Sequence, residues 1–258
     1  MKNLLITGAN GSLGRLIPNI KGYNVIRTDK DSLDITDFGR VDEFIGKYQP
    51  RVIIHLASLL GQACEDKELA HRVNVEATEH LFKEAQKYLL DRFIFTSSCA
   101  VYCQEDLKPT KENENLGAES MYGITKFEAE QKLFGNPEVI VFRIFNLYGE
   151  GFENSLVNRF RRSDDLTLFN PDTYWRDYVW AGDVIKYIIK AVKSDANGVF
   201  NLGSGVVRNT TDLLRTFGEM GIEPKYCVTG DGEVSISWAD ISKLKRVFGF
   251  SPRKELVI

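Results

Sequence analysis

The segment NLLITGANGSLG (residues 3–14) decides the fold: a short apolar run enters a glycine-rich turn, and the turn opens a helix. The glycine spacing has a physical purpose. Gly8 makes the tight turn, Gly11 lets backbone approach a pyrophosphate, and Gly14 lets the helix pack closely on the strand. The helix N-terminus adds unpaired N–H groups and a positive dipole end. Gly8, Asn10, Gly11, Ser12, Leu13 and Gly14 are therefore the candidate cradle for the phosphates of a dinucleotide. Three glycines also fit a plain turn; their place at the first strand–helix junction is what favours the cradle.

Outward from this turn the chain alternates. NVIRTD (24–29), RVIIHLA (51–57), RFIFTSS (92–98) and EVIVFRI (138–144) read, with 3–8, as short β-branched strands, and 12–20, 37–47, 66–89 and 121–134 as helices between them. Continuously apolar strands separated by helices predict an α/β fold, a doubly wound parallel sheet covered on both faces. Beyond residue 150 the pattern loosens: a helix at 153–162, strands at 166–170 and 176–180, a helix at 181–193, a strand at 198–205 and a helix at 209–219. The expected division is a mainly dinucleotide-binding Rossmann domain over 1–150 and a small, interleaved substrate lobe over 151–258, with segments that return to the main sheet.

The second strand ends at Asp29, 15 residues after Gly14. An acid there suits the ribose hydroxyls of an adenosine and repels a 2′-phosphate, although a loop or capping acid would read the same way. NAD is the expected cofactor, with NADP left open by the adjacent Lys30.

The fourth strand carries Ser97 and Ser98 to the carboxyl edge of the sheet, where open α/β sheets bind ligands. In YGITK (122–126), Tyr122 and Lys126 lie one turn apart on one helix face. Together they predict acid–base chemistry: Ser98 and Tyr122 hydrogen-bond one substrate oxygen, and Tyr122 moves its proton. A free tyrosine, pKa about 10, is a poor base at neutral pH, and a lysine ammonium nearby lowers it by about 1–3 units. The pair would be ordinary helix surface without the glycine turn upstream.

Composition narrows the function classes. The chain has 258 residues, 43% of them hydrophobic and 27% charged, enough for a sizeable core. A formal charge of -3 gives no electrostatic basis for binding nucleic acid. Arg159, Arg161 and Arg162 form one basic cluster, readable as a solvated face or an anion site. The N-terminus has no signal-peptide pattern, and no stretch approaches the roughly 20 apolar residues of a membrane span, so a cytoplasmic protein without membrane partners is expected. Cys64, Cys99, Cys103 and Cys227 lack metal-ligand spacing with His55, His71 or His80, so free thiols and no metal site are expected.

These motifs, in order, resemble the extended short-chain dehydrogenase/reductases, in particular the NAD-dependent nucleotide-sugar epimerase/dehydratase group. The match runs through TGANGSLG (7–14), Asp29, LDITD (33–37), HLAS (55–58), VNVEAT (73–78), TSSCAVY (96–102), YGITK, RIFNLYGEG (143–151), RDYVWAGDV (176–184), FNLGSG (200–205) and WADISKLKRVFGFSP (238–252). The resemblance implies Ser98, Tyr122 and Lys126 as catalytic residues, with Tyr122 and Lys126 also touching the cofactor. It places Asp34 and Ile35 beside the adenine, Leu56 and Ala57 along the dinucleotide cleft, and Asn74 as the residue that fixes it. Asn146 would contact the sugar or its diphosphate, and Arg176 a substrate phosphate; an Arg176–Asp177 ion pair is the structural alternative. Helices 66–89 and 121–134 would offer a homodimer contact.

Departures from the family pattern qualify the substrate. Cys99-Ala100 follow Ser98 where dehydratases carry Asp-Glu, so dehydration is not expected. Gly230 stands where an arginine usually clamps the diphosphate, the substrate lobe is short, and Cys103 replaces a glycine. The expected activity is NAD(P)-dependent hydride transfer at a sugar carbinol or ketone, as a nucleotide-sugar epimerase or a 4-keto-sugar reductase. The alternatives are a dehydrogenase of a free sugar or sugar acid and a non-catalytic dinucleotide sensor.

Overall fold

In the computed structural model, residues 1–103, 105–230 and 234–257 are described. The first half contains β1 (Lys2–Thr7), α1 (Ser12–Leu16), β2 (Tyr23–Thr28), α2 (Phe38–Tyr48), β3 (Val52–His55), α3 (Lys67–His71), α4 (Ala77–Gln86), β4 (Arg92–Ser98), α5 (Met121–Leu133) and β5 (Val139–Ile144). The second contains β6 (Asn146–Tyr148), α6 (Leu156–Arg161), β7 (Leu166–Phe169), β8 (Tyr174–Trp180), α7 (Ala181–Val192), β9 (Gly198–Leu202), β10 (Val207–Asn209), α8 (Thr210–Glu219), β11 (Tyr226–Thr229), β12 (Ser235–Ser237) and α9 (Ser242–Phe248).

The expected doubly wound sheet is present, in the order β2-β1-β3-β4-β5-β9, and its pairings β1–β2, β1–β3 and β3–β4 are all parallel. The chain leaves β1 to one side for β2 and returns on the other side for β3, so the sheet reverses direction at the carboxyl ends of β1 and β3. That is where an α/β sheet opens a ligand crevice. Side chains on one face, including Leu5, Ile53, Phe93, Phe95 and Val141, pack under Val41 and Ile45 of α2, Leu81, Phe82 and Ala85 of α4, and Ala129 and Leu133 of α5. Alternate residues Leu4, Ile6, Ile54, Ile94 and Phe142 are fully buried as well, which explains why these strands read as unbroken apolar runs.

Two expected helices differ in form. α1 ends at Leu16 instead of 20, because Ile17 precedes Pro18 and takes extended backbone, φ -74 and ψ 116. The helix expected over 66–89 is interrupted by a π turn at Arg72–Glu76 between α3 and α4.

The chain divides into two compact units. One comprises residues 1–102, 116–143 and 185–200; the other comprises 103–115, 144–184 and 201–258. The second unit is organised on β8, which pairs parallel with β6 and β12 and antiparallel with β10, while β7 pairs parallel with β11. Its core gathers Phe160, Leu166, Leu168, Tyr178, Leu213 and Phe217.

In the first unit, α5 docks on the end of β4 with no space to spare. Gly123 is buried, and a Cβ there would lie 2.1 Å from the carbonyl oxygen of Ala100. Gly123→Ala should therefore destabilise the fold by about 1–3 kcal/mol, the usual range for overpacking, even against the ~1 kcal/mol of helix propensity that alanine gains. Urea unfolding of the two proteins measures the difference; equal midpoints would contradict it.

Candidate active site

The turn after β1 runs against the segment after β3. Gly8 has φ +68, and a Cβ on it would stand 2.7 Å from Ala57 N and 2.9 Å from the Leu56 carbonyl carbon. A Cβ on Gly14 would meet Gly8 O at 2.6 Å and Ala9 Cα at 2.7 Å. Both positions thus require glycine for close backbone approach. Gly11 caps α1, whose first turn has no side-chain cap. Asn10 and Ser12 are exposed and Leu13 is half-buried.

Asp29 follows β2 at the same edge. Its Oδ1 accepts from Ser32 N at 3.0 Å and Ser32 Oγ at 2.8 Å, and Asn10 Nδ2 donates to its Oδ2. The Ser32 hydrogen bonds hold its carboxyl below the ordinary range. Asp34 closes a similar turn, accepting from Thr36 N at 2.9 Å and Thr36 Oγ1 at 2.7 Å. Ile35 is 6% exposed and belongs to the core, so little of its side chain is available to a ligand.

Asn74 sits in the π turn, 1% exposed. Its Oδ1 accepts from Leu59 N at 2.8 Å and Ser58 Oγ at 3.0 Å; its Nδ2 donates to Leu59 O at 3.2 Å and Thr125 Oγ1 at 3.0 Å. The amide therefore ties the loop after Ala57 to α5.

Ser98, Tyr122 and Lys126 converge in the first unit. Ser98 ends β4, and its hydroxyl, which accepts from Ala100 N at 3.1 Å, lies beside the Tyr122 phenol. Lys126 is 2% exposed, donates to Thr96 O at 2.9 Å, and places Nζ 4.7 Å from the centre of the Phe95 ring and 5.9 Å from that of Tyr122. The expected lowering of the Tyr122 pKa is reversed. Burial pushes the phenol above its ordinary value, against the Ser98 hydroxyl that pulls it down. Burial also pulls Lys126 down to about 7. Desolvation opposes both charged forms and outweighs what favours them, the Ser98 hydroxyl on the phenol and the Glu130 charge on the amine.

In the second unit a cavity of about 450 Å³ is lined by Asn146, Phe169, Tyr174, Arg176, Tyr178 and Thr210, with six further residues. Arg176 lies 3.4 Å over the Tyr174 ring and donates to Trp175 O, Ser235 O and Ser235 Oγ, each at 2.8 Å. The alternative Arg176–Asp177 ion pair is not formed among the described residues. Asp177 is fully buried and accepts instead from Ser204 N at 2.6 Å, Ser204 Oγ at 2.7 Å, Gly205 N at 2.9 Å and Ala239 N at 3.3 Å. Burial raises its pKa to about 6 even so. Asn146 Nδ2 donates to Asp177 O at 3.1 Å.

Gly230 has φ +95, and a Cβ there would lie 2.3 Å from Asn170 Oδ1, so this backbone has no room for the arginine the family pattern carries. Of the basic cluster, Arg162 pairs with Glu153 at 2.8 Å and Asp164 at 2.7 Å, and Arg159 with Asp164 at 3.8 Å. Two of its three charges are thus met by neighbouring carboxylates. His55 is fully buried between Thr7 and Thr78, and desolvation lowers its pKa to about 3. Among the described residues no group of three or more His, Cys, Asp or Glu side chains is placed to hold a metal, and no helix is long and apolar enough to cross a membrane.

The profile of the NAD dependent epimerase/dehydratase family matches residues 4–203. The chain belongs to this family. A UDP-glucose 4-epimerase of Rhizobium meliloti is 25% identical to it, over 98% of this chain and 93% of the relative. The UDP-glucose 4-epimerase of Thermotoga maritima, solved with UDP-glucose, superposes with a TM-score of 0.82 at 27% identity and covers 97% and 94% of the two chains. A dTDP-4-dehydrorhamnose reductase of Clostridium acetobutylicum gives a TM-score of 0.82 at 26% identity, over 95% and 92%.

NAD(P) is the cofactor of this epimerase/dehydratase family member, and the residues present fit it: Gly8 and Gly14, with no room for a Cβ, let the turn after β1 pack tightly and bring bare backbone to the start of α1, and Asp29 stands at the end of the neighbouring strand.

Sequence reasoning missed Gly123, Glu130 and the hub at Asp177. Only Gly123 left a signal, as a glycine inside a helix that needed a packing reason.

The depressed Lys126 pKa has a consequence for stability. The folded lysine loses its proton near 7 and the unfolded one at its ordinary 10.5, so between these values the unfolded chain binds the extra proton and stability rises with pH. Lys126→Met should remove that rise, as read from urea unfolding at pH 7 and pH 9. The same gain with pH in the variant would refute the assignment.

Proposed function

We propose that the protein interconverts a carbinol and a ketone on a nucleotide-linked sugar, most simply at C4, as an epimerase; net reduction of a keto sugar is the second reading. What supports this is the Tyr122 phenol beside the Ser98 hydroxyl with the Lys126 amine behind it, in a chain of the epimerase/dehydratase family. Ser98, Tyr122 and Lys126 are the proposed catalytic residues.

Tyr122 moves the proton of the reacting oxygen in both half-reactions: as the phenolate it takes it from the carbinol as the hydride leaves, and as the phenol it returns it to the ketone oxygen. Ser98 polarises the same oxygen. Lys126, in its ammonium form, stabilises the phenolate left on Tyr122. When bound, NAD(P) supplies or accepts the hydride at the sugar carbon. The glycine turn, Asp29, Asp34, Leu56, Ala57 and Asn74 are proposed to hold or shape its site, with NAD preferred because Asp29 repels a 2′-phosphate. Asn146 and Arg176 are proposed to bind the substrate. Cys99-Ala100 supply no acid–base pair next to Ser98, so dehydration is left out.

One observation favours a substrate without a diphosphate, such as a free sugar or sugar acid: Gly230 has no room for a side chain, leaving Arg176 as the one cationic residue lining the cavity among the described residues. A thermal-shift comparison of UDP-glucose with glucose separates the two.

Tyr122→Phe should lower kcat by about 10²–10⁴-fold with the far-UV spectrum unchanged; unaltered turnover would remove the proposed proton relay. Mass spectrometry of small molecules released on denaturing the purified protein decides the reaction type. Retained NAD is expected of an epimerase, and an empty extract would favour the reductase.

A further inference from the structure

Helix α5 presents three residues to β4 at successive turns, Tyr122, Lys126 and Glu130. Three consecutive residues of the strand receive them. Ser98 lies beside Tyr122, Thr96 O accepts from Lys126 at 2.9 Å, and Ser97 Oγ donates to Glu130 Oε1. Glu130 is 3% exposed and so is Arg143 on β5. Arg143 Nε lies 3.0 Å and 3.1 Å from the two Glu130 oxygens, and Nη2 lies 2.5 Å from Oε2. Arg143 Nη1 also donates to Tyr102 Oη at 2.8 Å. A carboxylate on a helix is thus bonded to both neighbouring strands and almost wholly withdrawn from solvent.

We propose that Glu130 is a positioning residue for the reaction proposed above: its buried charge holds Lys126 as an ammonium, and its bonds to Ser97 and Arg143 fix the register of α5 on β4 that brings Tyr122 to Ser98. The inference rests on that functional reading and adds a residue to it.

The surroundings of Lys126 leave this task to Glu130. On β4 it meets the Thr96 carbonyl and the Phe95 ring. From β3 comes His55, kept neutral by burial. From the turn Gly61–Cys64 comes Cys64, whose thiol burial pushes up, away from the thiolate. On α5 itself lie the neutral phenol of Tyr122 and the carboxylate of Glu130. Burial opposes the Lys126 charge; Glu130, itself bonded to the Arg143 guanidinium from β5, is the first influence that favours it, ahead of Cys64. A buried pair in low dielectric interacts far more strongly than an exposed i,i+4 pair.

The test follows the Lys126 Cε resonance with pH in ¹³C-lysine-labelled protein, assigned by its loss in Lys126→Arg. Glu130→Gln keeps the shape of the side chain and removes its charge. The Lys126 midpoint should fall by at least about half a unit, and the high-pH limb of turnover, assayed with UDP-glucose and NAD, should move down with it. A merely structural ion pair would lower Tm and leave the midpoint where it is, and that result overturns the proposal. Should Glu130→Gln fail to fold, Glu130→Gln/Arg143→Met removes both buried charges together, an exchange often tolerated, and the same fall in midpoint is expected; an unchanged midpoint there is equally fatal. The midpoint is read without turnover, so it stays distinct from Tyr122→Phe: a normal rate in that variant would defeat the catalytic reading while the Lys126 titration still reported on Glu130.

Discussion

The docking of α5 against β4 is the constraint on which the candidate site depends. Tyr122, Lys126 and Glu130, at successive turns of the helix, meet consecutive residues of one strand, the last two by hydrogen bonds, and a glycine between Tyr122 and Lys126 lets the two backbones approach. The strand end carries Ser98; the helix carries the phenol and the amine. Small errors in helix position would separate those hydroxyls, and catalysis by alignment is sensitive to displacements of this size. The interior charges at Glu130 and Arg143 contribute little to net stability by pairing, because their desolvation offsets most of the attraction. Their value lies in specifying one arrangement.

The two ends of the chain were not equally legible. β1 to β5 could be read from sequence because both faces of each strand are buried, which writes an unbroken apolar run. The glycine turn was legible because Gly8 and Gly14 each solve a contact problem that only a missing Cβ solves. β6, β10 and β12 are three residues long, too short for any period to register, and α9, seven residues inside WADISKLKRVFGFSP, is barely two turns. Glu130 was invisible for another reason. An acid four residues past a lysine reads as solvated helix surface, and its partners on β4 and β5, Ser97 and Arg143, turn it inward. The Tyr122 pKa was misjudged because sequence reveals the neighbouring charge but not the desolvation that outweighs it.

Asp177 organises the second unit by a related principle. Its carboxylate gathers the backbone N–H groups of Ser204, Gly205 and Ala239, and Gly203 is excluded from carrying a side chain because a Cβ would lie 2.6 Å from Asp177 Oδ2. Alternation along β8 then turns Arg176 the other way, onto Tyr174 and the cavity. The adjacent Arg-Asp dipeptide is two separate devices, one that holds loops and one that faces a pocket.

The π turn at Arg72–Glu76 has an effect beyond Asn74. A π turn takes up one more residue than an α turn, so everything downstream on α4 is rotated relative to α3 by the angle that one residue subtends. Leu81, Phe82 and Ala85 face the sheet only with that offset in place. Shortening the segment by a single amino acid would heal the helix into a regular α form and swing those apolar side chains toward solvent, so the length of this stretch is fixed as firmly as the identity of Asn74 within it.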